Sequence, residues 1–101
     1  MFELETVAVG CRHYIESLKV QIGDALTLEP EPTNRYDKNA IKVMHGKHLV
    51  GYISKDINKK ILKAIQDHDL IQVTCTDEND IYQIPIFIKG YNFETVFPPV
   101  A

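Results

Sequence analysis

Two runs of alternating apolar and polar residues, 40–44 (AIKVM) and 48–53 (HLVGYI), stand on either side of His45-Gly46-Lys47. Alternation with a period of two puts the apolar set on one face of a strand, and a glycine between two such runs suits a tight turn. A β-hairpin in the middle of the chain therefore restricts everything around it. It buries one face only, so the flanking segments must add sheet to cover that face.

The flanks carry the matching signals. Residues 2–9 mix β-branched and aromatic side chains with acidic ones and stop at Gly10, which predicts a first strand; residues 25–28 predict a short second one. Residues 70–76 and 81–89 predict the last two strands, joined by the acidic turn TDEND, with Ile84, Ile86 and Ile88 sharing one face. Pro85 cannot donate to a ladder and predicts an edge or a bulge there. Residues 10–24 (GCRHYIESLKVQIGD) have no clean period and read as a long loop or bent strand, while EPEPTNRYDKN is an irregular connection rich in turn formers.

One helix is predicted between the hairpin and the last strands. Ser54 can cap it, Asp56 suits its positive first turn, and Ile57, Ile61, Leu62 and Ile65 fall on one face up to about His68. The order predicts a mostly β fold: a small, partly open barrel of the oligonucleotide-binding type, with about six strands and one α-helix. A length of 101 residues suits a single domain over 1–101, with a loosely held tail over 90–101.

The formal charge of -3 and the sequence pI of about 5.7 exclude a protein that coats duplex DNA through a general positive field, though not a local basic patch. Cys11 and Cys75 form no C-x-x-C pair and read as reduced thiols. The start MFELETVAVG is acidic where a secretory signal is basic, and no apolar run approaches the ~20 residues of a membrane span, so the expected location is the cytosol. His13, His45, His48 and His68 lack metal-ligand spacing, and there is no P-loop, G-x-G-x-x-G or paired-carboxylate motif. The expectation is a binding protein without catalytic residues, metal or cofactor.

Three segments join an aromatic ring to a charged or amide group: Arg12-His13-Tyr14, Asn34-Arg35-Tyr36-Asp37, and Gly51-Tyr52-Ile53 followed by Lys55. The stretch EPTNRYDKNAIKV followed by VGYI resembles the core pattern of the HIRAN domain, found at the N-terminus of helicase-like chromatin remodellers and as a stand-alone bacterial protein. The resemblance runs over residues 9–88. It implies an oligonucleotide-binding-like barrel that grips the unpaired 3′ end of single-stranded DNA, and through that a place in DNA repair or replication-fork processing.

The residues can be read against that implication. Tyr14, Tyr36, Tyr52 and Tyr82 are candidates to stack on bases, each stacked base contributing about 1–3 kcal/mol. Asp37 repels phosphate yet accepts a strong hydrogen bond, which suits a reader of the 3′ hydroxyl, and Asn34 can hold the terminal sugar or base edge. Arg12 and Lys55 are candidates for phosphates, with Arg35, Lys59 and Lys63 as further contacts. His13 stands where the family often has an aromatic, and Arg35 where it commonly has proline.

Each residue also has a plainer reading. Tyrosines at strand ends commonly pack, and Asn34 and Asp37 can cap their own turn. Glu31, Pro32, Asn39, Ala40, Ile41 and Val43 read as structural. Lys55, Lys59 and Lys63 recur every four residues, with Lys60 beside them, as a solvated helix face would. Two other functions stay open: an adaptor that docks a partner protein on an exposed sheet edge, and a hydrolase whose Asp37 holds a metal ion. Any helicase or nuclease activity would come from a partner protein.

Overall fold

The computed structural model describes residues 1–93. Its strands are β1 (Phe2–Val9), β2 (Ala25–Pro30), β3 (Ile41–His45), β4 (His48–Ile53), β5 (Leu70–Cys75) and β6 (Ile84–Tyr91), and its helix is α1 (Asn58–Asp67). Every pairing is antiparallel, and the order β1-β4-β3-β2-β5-β6 closes into a barrel. The expected partly open sheet is therefore closed, which removes the free edges that a sheet otherwise exposes. The closure is uneven. β1 pairs with β6 from Phe2↔Gly90 to Ala8↔Ile84, but with β4 only at Ala8↔Ile53 and Val9↔Tyr52.

The apolar alternation fills the interior. Ile41 and Val43 of β3, Val50 of β4, and Ile84, Ile86 and Ile88 of β6 are each 0% exposed. Each such side chain contributes about 1.5–3 kcal/mol relative to leaving it in water. Ile61 of α1 joins the same cluster, with Ile57, Leu62 and Ile65 packed against it, as the helical spacing predicts. The central hairpin turns at Gly46, whose φ of 61° lies in the left-handed region.

Several boundaries differ from the sequence reading: β2 continues to Pro30 because Glu29 and Pro30 still pair with Lys42 and Ile41 of β3, β3 shifts by one residue, β5 ends one residue earlier, and the larger differences have local reasons. Residues 10–24 are neither strand nor open loop. They hold two 3-10 helices, Cys11–His13 and Ile15–Lys19, entered through Gly10 at φ 73°. The Ser17 hydroxyl donates to the Cys11 carbonyl at 3.1 Å, and Asn79 Nδ2 donates to the Ser17 carbonyl at 2.6 Å. Side chains here satisfy the backbone in place of a ladder.

The helix begins at Asn58 instead of Ser54, and it ends at Asp67. Ser54 is used in a turn of its own, its Oγ accepting from the Asp56 N–H at 3.4 Å and its carbonyl from the Ile57 N–H at 3.1 Å. Asp56 is thus outside the first helical turn, and Lys55 does not share a helix face with Lys59 and Lys63.

β6 begins at Ile84 instead of residue 81, because Asp80 Oδ1 accepts from the N–H groups of Tyr82 (2.7 Å) and Gln83 (2.8 Å) and holds residues 80–83 in an Asx turn. Pro85 makes no bulge but does stand at a local edge, its carbonyl and nitrogen facing β5 where the ladder has ended. Its register with β1 is continuous, and it lies beyond the last β5–β6 pair, Cys75↔Ile86. Gly90 and Tyr91 belong to β6 and not to a tail; the rest of that expected tail, 94–101, lies outside the described residues. No helix among the described residues is long and apolar enough to cross a membrane.

Candidate nucleic-acid interface

The irregular segment between β2 and β3 is built by its own polar side chains. Asn34 Oδ1 accepts from the N–H groups of Tyr36 and Asp37, both at 2.9 Å, and Asp37 Oδ1 accepts from the Asn39 N–H at 2.9 Å. Asn34 Nδ2 donates to Glu31 Oε1 at 2.6 Å. The Asn34 oxygen is thereby committed to the loop, where it aims Tyr36 and Asp37. This is the ordinary chemistry of Asx turns, so the capping role of Asn34 is present in full.

Asp37 differs from Asn34. Its Oδ2 accepts from Nδ2 of Asn58 at 2.8 Å, so the carboxylate is gripped from its own loop and from the start of α1. Asn58 is 2% exposed. Sequence reasoning did not single it out, although a signal was there: it occupies a polar position three residues before Ile61, within the stripe that faces the core.

A groove of about 470 Å³ lies beside the short β1–β4 seam, lined by Tyr14, Asn34, Tyr36, Asp37, Tyr52 and Lys55 together with Val9, Ala40 and Ile53. The groove thus gathers residues from all three segments. The Tyr14 and Tyr52 ring centroids are 6.4 Å apart with planes at 45°. Tyr36 is 88% exposed, and the Arg35 guanidinium lies 6.0 Å from its ring centroid. A ring this exposed contributes little to packing, and its face is open to a ligand.

Behind the groove, Tyr52 donates its hydroxyl to Glu31 Oε1 at 3.1 Å, and Lys42 Nζ lies 3.5 Å from Glu31 Oε2 and 3.6 Å from Glu29. Burial first, then the bond to Glu31, pushes the Tyr52 phenol up to about 12. The hydrogen bond from Asn34 is the main cause that holds the Glu31 carboxyl below its ordinary value of 4.5. A lowered carboxyl favours the folded state above the ordinary value, and the gain is lost as pH falls through the folded one. Melting temperature followed from neutral pH downward is therefore expected to fall below about pH 4.5, and to fall less steeply in Glu31→Gln.

The remaining candidates fall outside this groove. Arg12, His13 and Tyr82 line an adjoining recess of about 270 Å³ that shares Val9 with it. The His13 ring meets that of Tyr14 at 6.4 Å and 79°. Lys59 and Lys63 lie on α1 and line neither, and Lys63 is paired with Asp67 at 2.9 Å. The Cys11 thiol is 0% exposed, and burial pushes it up to about 11, the opposite of what a nucleophile needs. No three His, Cys, Asp or Glu side chains among the described residues are grouped to hold a metal ion.

The sequence profile of the HIRAN domain family matches residues 1–91. The Fanconi-associated nuclease 1 homolog of Arabidopsis thaliana is 38% identical over 68 residues, which are 66% of this chain and 8% of that protein, so the chain spans a small part of such a relative. The crystal structure of the HIRAN domain of human HLTF is similar with a TM-score of 0.77 at 26% identity, over 88% of this chain and 76% of that one. An NMR structure of the HLTF HIRAN domain in its DNA-bound conformation is similar with a TM-score of 0.65 at 25% identity, over 93% and 81%.

Proposed function

The chain belongs to the HIRAN domain family, and from that premise we propose that its groove binds single-stranded DNA and reads the free 3′ hydroxyl at the strand's end. One observation carries the reading: an acceptor-only carboxylate, Asp37, is held by two hydrogen bonds in a groove walled also by three tyrosines, Asn34 and Lys55. Rings take unpaired bases, Lys55 takes a backbone phosphate, and Asp37 accepts from a hydroxyl while repelling a terminal phosphate. The DNA-bound state of the similar HLTF domain supports DNA as the ligand class.

Arg12, His13 and Tyr82 extend the path past the terminal nucleotides, with Arg12 on phosphate. Asn34 acts by aiming its neighbours. The domain itself performs no chemistry; a nuclease or helicase, in the same protein or a partner, acts on the strand it delivers in DNA repair. The name of the Arabidopsis relative supports that setting.

Tyr14→Ala is expected to weaken binding of every short single strand by about 1–3 kcal/mol, whatever its 3′ end, because stacking is blind to the end group. Anisotropy titrations with labelled single strands and a blunt duplex test the reading. Equal affinity for the duplex would defeat it.

A second reading, a protein-docking surface, is favoured by one face. Ile15 (79%), Leu18 (64%), Ile22 (59%) and Ile81 (56%) are exposed around two adjoining recesses that share Leu18. Asp77, Glu78 and Asp80 lie in the loop beside them, so the complementary partner is an apolar protein segment with basic flanks. This face replaces the free sheet edge of the original adaptor reading, which the barrel's closure removes. Ile22→Glu, which lines only the recess away from Arg12 and Tyr14, is expected to weaken strongly the binding of a peptide with apolar and lysine residues and to leave DNA binding intact; unchanged peptide binding would exclude this face.

A further inference from the structure

A polar side chain that is almost fully enclosed needs a reason, because burying an amide without a partner is costly. Asn58 is 2% exposed at the first residue of α1, on the stripe that otherwise carries Ile61 and Ile65 into the core. The flanking N-cap residue of the helix, Ile57, has no side chain that can cap it, and Asn58 is not spent on the helix end either. Its amide instead crosses 21 residues of sequence to donate to Asp37 Oδ2 at 2.8 Å.

We infer that Asn58 is a positioning residue for strand-end recognition: it fixes the Asp37 carboxylate so that the unused lone pairs face the groove. The inference rests on the strand-end reading above. With Oδ1 held by the Asn39 N–H and Oδ2 held by Asn58, the carboxylate cannot turn about its Cβ–Cγ bond without breaking a bond at each oxygen. A bound 3′ hydroxyl then meets an acceptor already oriented, and no freedom is lost at the moment of binding.

The start of α1 thereby becomes part of the site without touching the strand. Asn58 supplies no contact to a base or phosphate, so its effect is confined to what Asp37 reads. Loss of Asn58 should lower the preference for a 3′-hydroxyl end and leave the general affinity for single strands unchanged.

The experiment is a double-mutant cycle on the whole chain with Asn58→Ala, Asp37→Ala and both together. Each protein is titrated by anisotropy with one short single strand carrying either a 3′ hydroxyl or a 3′ phosphate, and its melting temperature is recorded. Asn58→Ala is expected to cut the hydroxyl-over-phosphate preference by about two- to tenfold, the range of one ordinary hydrogen bond. It should leave the affinity for the 3′-phosphate strand within about twofold, well inside the effect of that bond.

In the Asp37→Ala background the same change should have no effect on preference, a coupling that mere loss of helix stability would not produce. Asn58→Ser, which keeps a donor, should restore part of the preference if the amide acts through its hydrogen bond. A wild-type preference retained in full by folded Asn58→Ala, or an equal effect of Asn58→Ala with and without Asp37, overturns the inference. A wild-type protein with no end preference instead overturns the strand-end reading itself.

Discussion

Asp37→Ala is expected to abolish discrimination between a 3′-hydroxyl and a 3′-phosphate single strand, by weakening the first and sparing or improving the second. The carboxylate is the acceptor-only group at the groove wall, and its two bonds to Asn39 and Asn58 make it a fixed feature of that wall. A hydrogen bond to a charged group is worth about 1.5–3 kcal/mol, which corresponds to a loss of about 10- to 100-fold for the hydroxyl strand. The phosphate strand loses a repulsion instead of an attraction, so its affinity should hold or rise. Parallel anisotropy titrations of the two strands read both effects. An equal loss for both would make Asp37 a structural residue of its loop and nothing more.

Gly51→Val is expected to have the largest effect on stability. A side chain at residue 51 would begin 2.9 Å from Cys11 Sγ and 3.0 Å from the Val9 carbonyl oxygen. Neither neighbour can retreat: Cys11 is 0% exposed, and Val9 pairs with Tyr52 in the short seam that joins β1 to β4. Overpacking of this kind costs about 3 kcal/mol, or more where backbone must shift, and in a domain of this size lowers the melting temperature by more than about 10 °C. The damage should spread to function, because Val9 and Tyr52 both line the groove. A folded Gly51→Val with unchanged melting temperature would show that the seam yields more easily than its geometry indicates.

Much of the fold was legible in the sequence where one periodic pattern decides the structure. The central hairpin, the isoleucine face of β6 and the apolar face of α1 each follow from the spacing of their side chains, and β1 from its β-branched and aromatic residues before Gly10. The missed boundaries have another origin. Ser54 has the chemistry of a helix cap and spends it on a turn, and Asp80 delays β6 through two bonds that no periodicity records. The 3-10 segments depend on Asn79 reaching the Ser17 carbonyl across 62 residues, a contact invisible until the barrel has formed.

The site shows the same division. Tyr14, Tyr36, Asp37, Tyr52 and Lys55 could be named from their motifs, and the barrel brings them to one groove because β1 and β4 meet at Val9↔Tyr52. The supporting residues carried weaker signals, a polar position in an apolar stripe for Asn58 and none for the partners of Glu31. Glu31, read as structural, holds both Asn34 and Tyr52, and Asn58 carried no motif at all. The helix lysines go the other way: they are evenly spaced in the sequence, yet Lys63 is paired with Asp67 and neither Lys59 nor Lys63 lines the groove.

The most direct test of strand-end reading is the affinity of the unaltered protein for one short single strand prepared with a free 3′ hydroxyl and with a 3′ phosphate, measured side by side at physiological salt. The account predicts that the hydroxyl strand binds at least about tenfold more tightly, the lower limit for a hydrogen bond to a charged acceptor. Equal affinity for the two strands would contradict it.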